Sequence, residues 1–201
     1  MKIRESGMPE ETYWESFFDT RYIFSQMQLD NKIYDVAEFG SGYGTFTIPA
    51  AKIIRGNLYA FDIDATMIDR LKKRISEQHL SNIKVMLKDF VKEGTKLKDC
   101  SIDYAMLFNI LHAEKPVALL NEAYRMLKPG GRVGVIHWIH SETTPRGPSM
   151  DIRPSPLQCV DWLLEANFEI LKNEIQLPPY HYGIIGMKSP SQTLPEGKGL
   201  I

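Results

Sequence analysis

Short apolar runs alternate along this chain with stretches of helical period. Val36 to Phe39, Asn57 to Asp62, Ile83 to Leu87, Ile102 to Phe108 and Arg132 to Trp138 read as strands. The run Ile102 to Phe108 is almost wholly apolar, as a strand covered on both faces requires. Between them, Thr45 to Arg55, Ala65 to Gln78, Val117 to Leu127 and Leu157 to Ala166 repeat at helical spacing. In Ala65 to Gln78, Met67, Ile68, Leu71 and Ile75 share one side, with Lys72, Lys73 and Arg74 largely outside it. Pro49 is tolerated only in a first turn, so its helix starts near Phe46. Pro116 opens the third of these helices, and Lys128-Pro129-Gly130-Gly131 stops it. Residues 9–29 read as one further helix: Pro9 suits its first turn, Glu10 and Glu11 face the dipole, and Tyr13, Trp14, Phe17 and Phe18 form an aromatic stripe. At the other end, Phe168 to Leu177 and Tyr182 to Lys188 are strands joined through Pro178-Pro179-Tyr180. With no helix between them they must run antiparallel. The alternation predicts an α/β fold, a doubly wound, mostly parallel sheet of seven strands closed by an antiparallel pair. Residues 1–30 are expected to form a helical lid, 31–188 the body, and 189–201 a tail.

Composition narrows the setting. The 201 residues carry 43% hydrophobic and 24% charged side chains and a net charge of −1, which fits a globular domain and marks no dedicated nucleic-acid binder. The two cysteines, Cys100 and Cys159, have no metal-site spacing, so no zinc site is expected and a reducing, cytoplasmic setting is. No apolar run reaches the length of a membrane span, and no secretory leader pattern is present.

The chemistry concentrates where the first strand ends. Glu38 stands at the strand tip, and Gly40, Gly42 and Gly44 follow at every second position. Such a turn lets a ligand touch bare main chain, and the helix beyond points its N–H groups at whatever lies over it. A dinucleotide fingerprint would need its third glycine at Thr45, which argues against an oxidoreductase. The observed E-x-G-x-G-x-G resembles motif I of the class I S-adenosylmethionine-dependent methyltransferases, whose Rossmann-like sheet is the fold inferred above. Asp62, Lys88-Asp89-Phe90, the Asp103-to-Asn109 strand and the Leu127-to-Gly131 turn resemble later motifs of that family in the same order. The resemblance implies S-adenosylmethionine as cofactor. Gly40, Ser41, Gly42 and Gly44 would line its methionyl part, with Glu38 toward the amino group. Asp62 would hold the ribose hydroxyls, Ile63 and Met67 would flank the adenine, and Asp89 would accept from its amino group beside Phe90. Asn109 would close the methionyl side.

Methyl transfer needs a base only where the acceptor must lose a proton. His112, three residues past Asn109, is the candidate, followed by His137 and His140. Tyr13 and Trp14 on the lid, Tyr43 in the turn, and Arg146 and Arg153 in the proline-rich loop 141–155, whose forks could clamp an anionic acceptor, are further acceptor-side candidates. Base N-methyltransferases resemble one another in an acid- or Asn-Pro-Pro-aromatic turn after strand four, which Asn109-Ile110-Leu111-His112 lacks; Pro178-Pro179-Tyr180 lies in the wrong place. A Pro-Cys nucleophile and an arsenite thiol set are absent too. A small molecule is the expected acceptor, with a protein acceptor and a module that binds cofactor without turnover left open. Oligomeric state is not readable.

Overall fold

The computed structural model describes residues 9–190. Its elements, in chain order, are α1 (Glu11–Glu15), α2 (Thr20–Gln26), β1 (Val36–Phe39), α3 (Thr47–Ala51), β2 (Leu58–Asp62), α4 (Ala65–Glu77), β3 (Ile83–Leu87) and α5 (Phe90–Glu93). They continue with β4 (Ile102–Phe108), α6 (Pro116–Met126), β5 (Leu127–Trp138), α7 (Pro156–Glu165), β6 (Glu169–Leu177) and β7 (His181–Met187). The sheet has seven strands in the order β3-β2-β1-β4-β5-β7-β6. β3, β2, β1, β4 and β5 run parallel to one another, while β7 is antiparallel to both β5 and β6. Strand order reverses between β1 and β4, so their C-terminal ends, at Phe39 and Phe108, flank the crevice where such sheets bind ligands.

Alternation along the strands builds two cores. Ala37, Phe39, Ala105, Leu107, Val133 and Val135 pack on Leu119, Leu120, Ala123 and Leu163 of α6 and α7. On the other face Val36, Leu58, Ala60, Met106 and Ile136 meet Phe24 of α2, Ile48 of α3 and Leu71 of α4.

The N-terminal region departs from the sequence expectation. Residues 9–29 form two short helices, not one. Glu10 caps α1 by accepting from the amides of Thr12 and Tyr13, each at 3.2 Å, so Pro9 precedes the helix. Asp19 then accepts from the Tyr22 amide at 3.0 Å and starts α2 as a new helix. The break lets Phe17 and Phe18, adjacent in sequence, both reach the core. A single straight helix would splay neighbouring side chains about 100° apart. The Leu127-to-Gly131 segment also differs, since it belongs to β5. Ile102 pairs with Leu127 and Tyr104 with Arg132, so residues 128–131 bulge out of the ladder. The tail expected over 189–201 falls almost wholly outside the described residues.

Candidate functional site

Gly40, Gly42 and Gly44 all hold positive φ, at +76°, +50° and +85°. The turn is fastened to β2: the amides of Gly40 and Ser41 both donate to the Phe61 carbonyl, at 2.8 and 3.0 Å. The Gly42 amide donates to Asp62 Oδ2 at 2.8 Å, and Asp62 Oδ1 accepts from the Asp64 amide at 2.9 Å. Asp62 thus links the end of β2 to the middle of the glycine turn. Burial raises its pKa, against the amides of Asp64, Gly42 and Ile63, which favour the carboxylate. A carboxylate offers about four lone-pair directions, so Asp62 keeps acceptor capacity beyond these bonds.

The flanking glycines have a packing reason as well. A Cβ on Gly44 would lie 2.5 Å from Leu71 Cδ1, and one on Gly40 would lie 2.9 Å from Ile110 Cδ1. The bare face of Gly44 is turned to α4, a role that the resemblance to motif I did not convey.

Glu38 lies beneath the turn, 2% exposed, and its carboxyl accepts from the Thr47 hydroxyl in the first turn of α3. Burial pushes its pKa up to about 8, with the Asp62 charge adding to the rise and Thr47 opposing it. Around the turn, polar atoms are buried without partners: Ser41 Oγ, Thr45 Oγ1, and both amide atoms of Asn109. Asn109 follows β4 with φ +55°, held by its own amide on the Ile136 carbonyl at 2.7 Å.

Beyond β2, Ile63 and Met67 are half-buried before and within the first turn of α4. Asp89 accepts from the Lys92 amide at 3.2 Å and caps α5, a helix that the sequence pattern did not predict. Phe90 turns inward, edge-on to Phe39 at 5.3 Å, so it supports this end from the core.

The acceptor-side candidates divide into two groups. Tyr43 donates its hydroxyl to the Pro9 carbonyl at 2.7 Å, and Arg74 of α4 reaches Glu11 at 2.9 Å and Glu15 at 2.7 Å. These contacts tie α1 across the glycine turn. Trp14 packs on Phe18 at 5.0 Å and Trp138 at 6.3 Å, while Tyr13 is half-exposed and edge-on to Phe17. The second group lies on the α6–α7 side. There a cavity of about 270 Å³ is bounded by His112, Glu114, His140, Met150, Arg153 and Trp162, among others.

Arg153 corrects one expectation. Its guanidinium donates to the carbonyls of Pro148 (2.6 and 3.0 Å) and Ser141 (2.9 Å) and to Thr144 Oγ1 (2.7 Å). It is buried and organises its own loop, so an exposed clamp for an anion is not what this side chain provides. Arg146 sits half-buried in the same loop. His140 donates its Nδ1–H to the Arg153 carbonyl, 2.8 Å away.

His112 Nδ1 and His137 Nε2 are 3.3 Å apart. His137 is fully buried, and burial holds its pKa well below the ordinary imidazole value, with His112 and His181 adding to the effect. His181 was not singled out by sequence, because a histidine at a strand start carries no motif. It lies 4.3 Å from the Trp138 ring and 4.6 Å from Phe18, and neither ring nitrogen has a partner. Burial pushes its pKa down to about 3.

Residues 36–131 match the family model of a methyltransferase domain. A demethylmenaquinone methyltransferase of Lactobacillus johnsonii is 32% identical over 98 residues, covering 47% of this chain and 40% of its own length. The ubiquinone/menaquinone biosynthesis C-methyltransferase UbiE of Bartonella quintana is 35% identical over 105 residues, 50% of this chain and 38% of its own length. The matches thus span less than half the length of these curated relatives. Among solved structures, a SAM-dependent methyltransferase from Aquifex aeolicus superposes with a TM-score of 0.78 at 22% identity, over 89% of this chain and 93% of that one. The strand order and the glycine turn are those of this fold, and within it residues 36–131 are similar to a methyltransferase domain.

Proposed function

We propose that this chain binds S-adenosylmethionine across the glycine turn and transfers its methyl group to a small molecule. The observation that carries this reading is the set of orphaned polar atoms on Ser41, Thr45 and Asn109, gathered around a turn that Asp62 pins by its Gly42 amide. Each buried polar atom without a partner costs about 1–3 kcal/mol. A ligand with an amino-acid end supplies partners for such atoms. The Asp62 carboxylate suits two adjacent ribose hydroxyls, Ile63 and Met67 suit the faces of an adenine, and Asp89 its amino group. The names of the two curated relatives support a small-molecule acceptor.

The bound cofactor supplies an electrophilic methyl on a positively charged sulfur. The chain's part is to orient the donor, exclude water and present the acceptor in line. The aromatic side chains of α1 and α2, tied down through Arg74, serve as the cover for that purpose. A cytoplasmic setting is supported by two unpaired cysteines, and none of the described helices is long and apolar enough to cross a membrane.

Titration calorimetry with S-adenosylhomocysteine and, separately, NAD tests the reading. Heat with the first and none with the second is expected; the reverse pattern contradicts it. Gly42→Val should abolish the S-adenosylhomocysteine heat while leaving the circular dichroism of a folded protein, because a branched side chain would stand between ligand and main chain. Unchanged binding would show that no ligand approaches there.

Glu38 gives a pH prediction. Its folded pKa of about 8 exceeds the ordinary value of 4.5, so the folded state holds this proton longer than the unfolded state. Stability of the free protein should therefore fall as pH rises from about 4.5 to about 8 and then level off. Glu38→Gln should flatten that fall in urea titrations run across the window. An equally steep fall in the variant would remove Glu38 as the cause.

A further inference from the structure

His181 opens β7 with both ring nitrogens unpartnered and 2% of its surface exposed. Buried polar atoms of a native protein almost always have a hydrogen-bond partner, so an orphaned pair asks for one. Burial alone lowers the pKa of this ring, to about 3, so it is neutral and brings one N–H donor and one acceptor nitrogen. Its place in the fold ties it to the candidate site. The ladder sets His181 opposite Trp138 of β5 and Leu177 of β6, so the three side chains share the sheet face that α2 and α3 cover. Trp138 stands two residues beyond Ile136, whose carbonyl holds the Asn109 amide, so His181 lies at the same end of the sheet as the glycine turn. A row of rings joins the two places. Phe108 at the end of β4 meets Phe46 at 4.9 Å, Phe46 meets Phe18 at 4.9 Å, Phe18 meets His181 at 4.6 Å, and His181 meets Trp138 at 4.3 Å. Phe46 is two residues past Gly44. We infer, on the methyltransferase reading above, that His181 recognises the methyl acceptor: an uncharged, planar ring compound that enters beside Trp138 in place of the Phe18 ring and hydrogen-bonds an imidazole nitrogen.

Each property of the acceptor follows from the surroundings. Phe18 and Trp138 flank the imidazole, and Trp14, Phe17 and Tyr180 pack against Trp138. Ring faces and edges of this kind favour a flat ring as partner. None of these side chains carries a charge at neutral pH, so a charged molecule would lose its hydration with no counter-ion to replace it. A neutral imidazole pairs with a carbonyl or an N–H and so fixes how the ring compound is turned toward the donor. The cover over His181 is held in a way that permits exchange. α1 has no buried residue and is tied down by Arg74 on Glu11 and Glu15 and by the Tyr43 hydroxyl on the Pro9 carbonyl. Water competes for such partly exposed ion pairs. Phe18 lies in the joint between α1 and α2, so its ring can leave His181 without unwinding either helix. Displacing it costs free energy, which reduces the apparent affinity for the acceptor.

Ligand-observed NMR on the full chain, saturated with S-adenosylhomocysteine, tests the assignment with quinolin-4-one, quinolin-2-one and indole, and with quinoline-4-carboxylate as the charged control. At least one neutral compound should bind, and the carboxylate at least tenfold more weakly. His181→Leu should weaken the neutral compound at least tenfold while keeping or raising the melting temperature of the free protein, because leucine removes two orphaned polar atoms from the core. Failure of all three neutral compounds to bind, equal binding of the carboxylate, or full binding by His181→Leu overturns the inference. Full binding together with a lower melting temperature would show a structural histidine satisfied by a buried water. The nitrogen-15 shifts of the His181 ring in the unmodified protein give a readout that needs no variant: the bound compound should move at least one of them, and unmoved shifts overturn the contact. Arg74→Ala, which cuts the ties to Glu11 and Glu15, should tighten binding at least threefold, because α1 then leaves its place more readily. Unchanged or weaker binding there, with the S-adenosylhomocysteine heat intact, overturns the displacement of Phe18. Absence of S-adenosylhomocysteine heat in the unmodified protein would instead defeat the donor reading, and the ring compounds would then be judged on the free protein.

Discussion

Asp62→Ala should weaken S-adenosylhomocysteine binding by roughly 10- to 150-fold, since a hydrogen bond to a charged group contributes about 1.5–3 kcal/mol. The loss should have two parts. One is the contact with the ribose hydroxyls, and the other is the bond from the Gly42 amide that holds the turn in its binding shape. Asp62→Asn separates them: its amide oxygen still accepts one backbone N–H, so the turn is partly kept while the charge is lost. Calorimetry at fixed ionic strength should therefore rank the affinities as Asp62, then Asn, then Ala. Equal affinity in all three proteins would remove Asp62 from the site and leave its buried carboxylate as a structural clasp only. A melting curve is informative in parallel. Because Asp62 also accepts from the Asp64 amide at the start of α4, Asp62→Ala should lower stability even without ligand.

Gly44→Ala should destabilise the protein strongly for a change of one methyl group. Two costs combine at this position. Its φ of +85° is unfavourable for any residue with a Cβ, and that Cβ would stand 2.5 Å from Leu71 Cδ1. Left-handed backbone costs about 1–2 kcal/mol, and overpacking a core contact adds about 1–3 kcal/mol. A loss of roughly 2–5 kcal/mol in urea unfolding is expected from these two effects. Gly130→Ala is the matched control. Its φ is +79°, yet a Cβ there would have nothing within 4 Å, so only the backbone cost remains. If the two variants lose the same stability, the tight packing of the glycine turn on α4 is not what Gly44 secures.

The strands were legible because their period is short and their ends are marked. The limits of β3 and β4 coincide with those read from the apolar runs Ile83 to Leu87 and Ile102 to Phe108. A helix boundary was legible where a proline set it, as at Pro116, whereas the Ser155 capping box that opens α7 at Pro156, one residue before the expected Leu157, was not read. The N-terminal helix was misread for a physical reason. The aromatic positions fit a helical stripe, but Asp19 competes for the backbone and restarts the helix, and that competition is decided by the pocket waiting for Phe17 and Phe18.

The gathering of the strand-end residues was legible for a related reason. Glu38, the glycines, Asp62 and Asn109 are close in space because each ends a strand next to the switch point, and strand ends can be located from sequence. The partners of the remaining candidates were not. Arg153 turns its fork into loop 141–148, His181 meets Trp138 across the β5–β7 ladder, and His112 meets His137 from a different strand end. These pairings come from tertiary packing, and nothing in local spacing announces them. The same holds for Gly44, whose reason for being glycine lies in Leu71, 27 residues away along the chain.

The central claim is that main chain from Gly40 to Gly44 holds the amino-acid end of a sulfonium donor, with Asp62 on its ribose. A crystal structure grown with S-adenosylhomocysteine tests it most directly. Density for the ligand lying over that turn, its ribose hydroxyls on Asp62 and its methionyl end beside Asn109, is the predicted result. Ligand bound elsewhere on the chain, or Ser41, Thr45 and Asn109 still without partners beside an unfilled crevice, would contradict it.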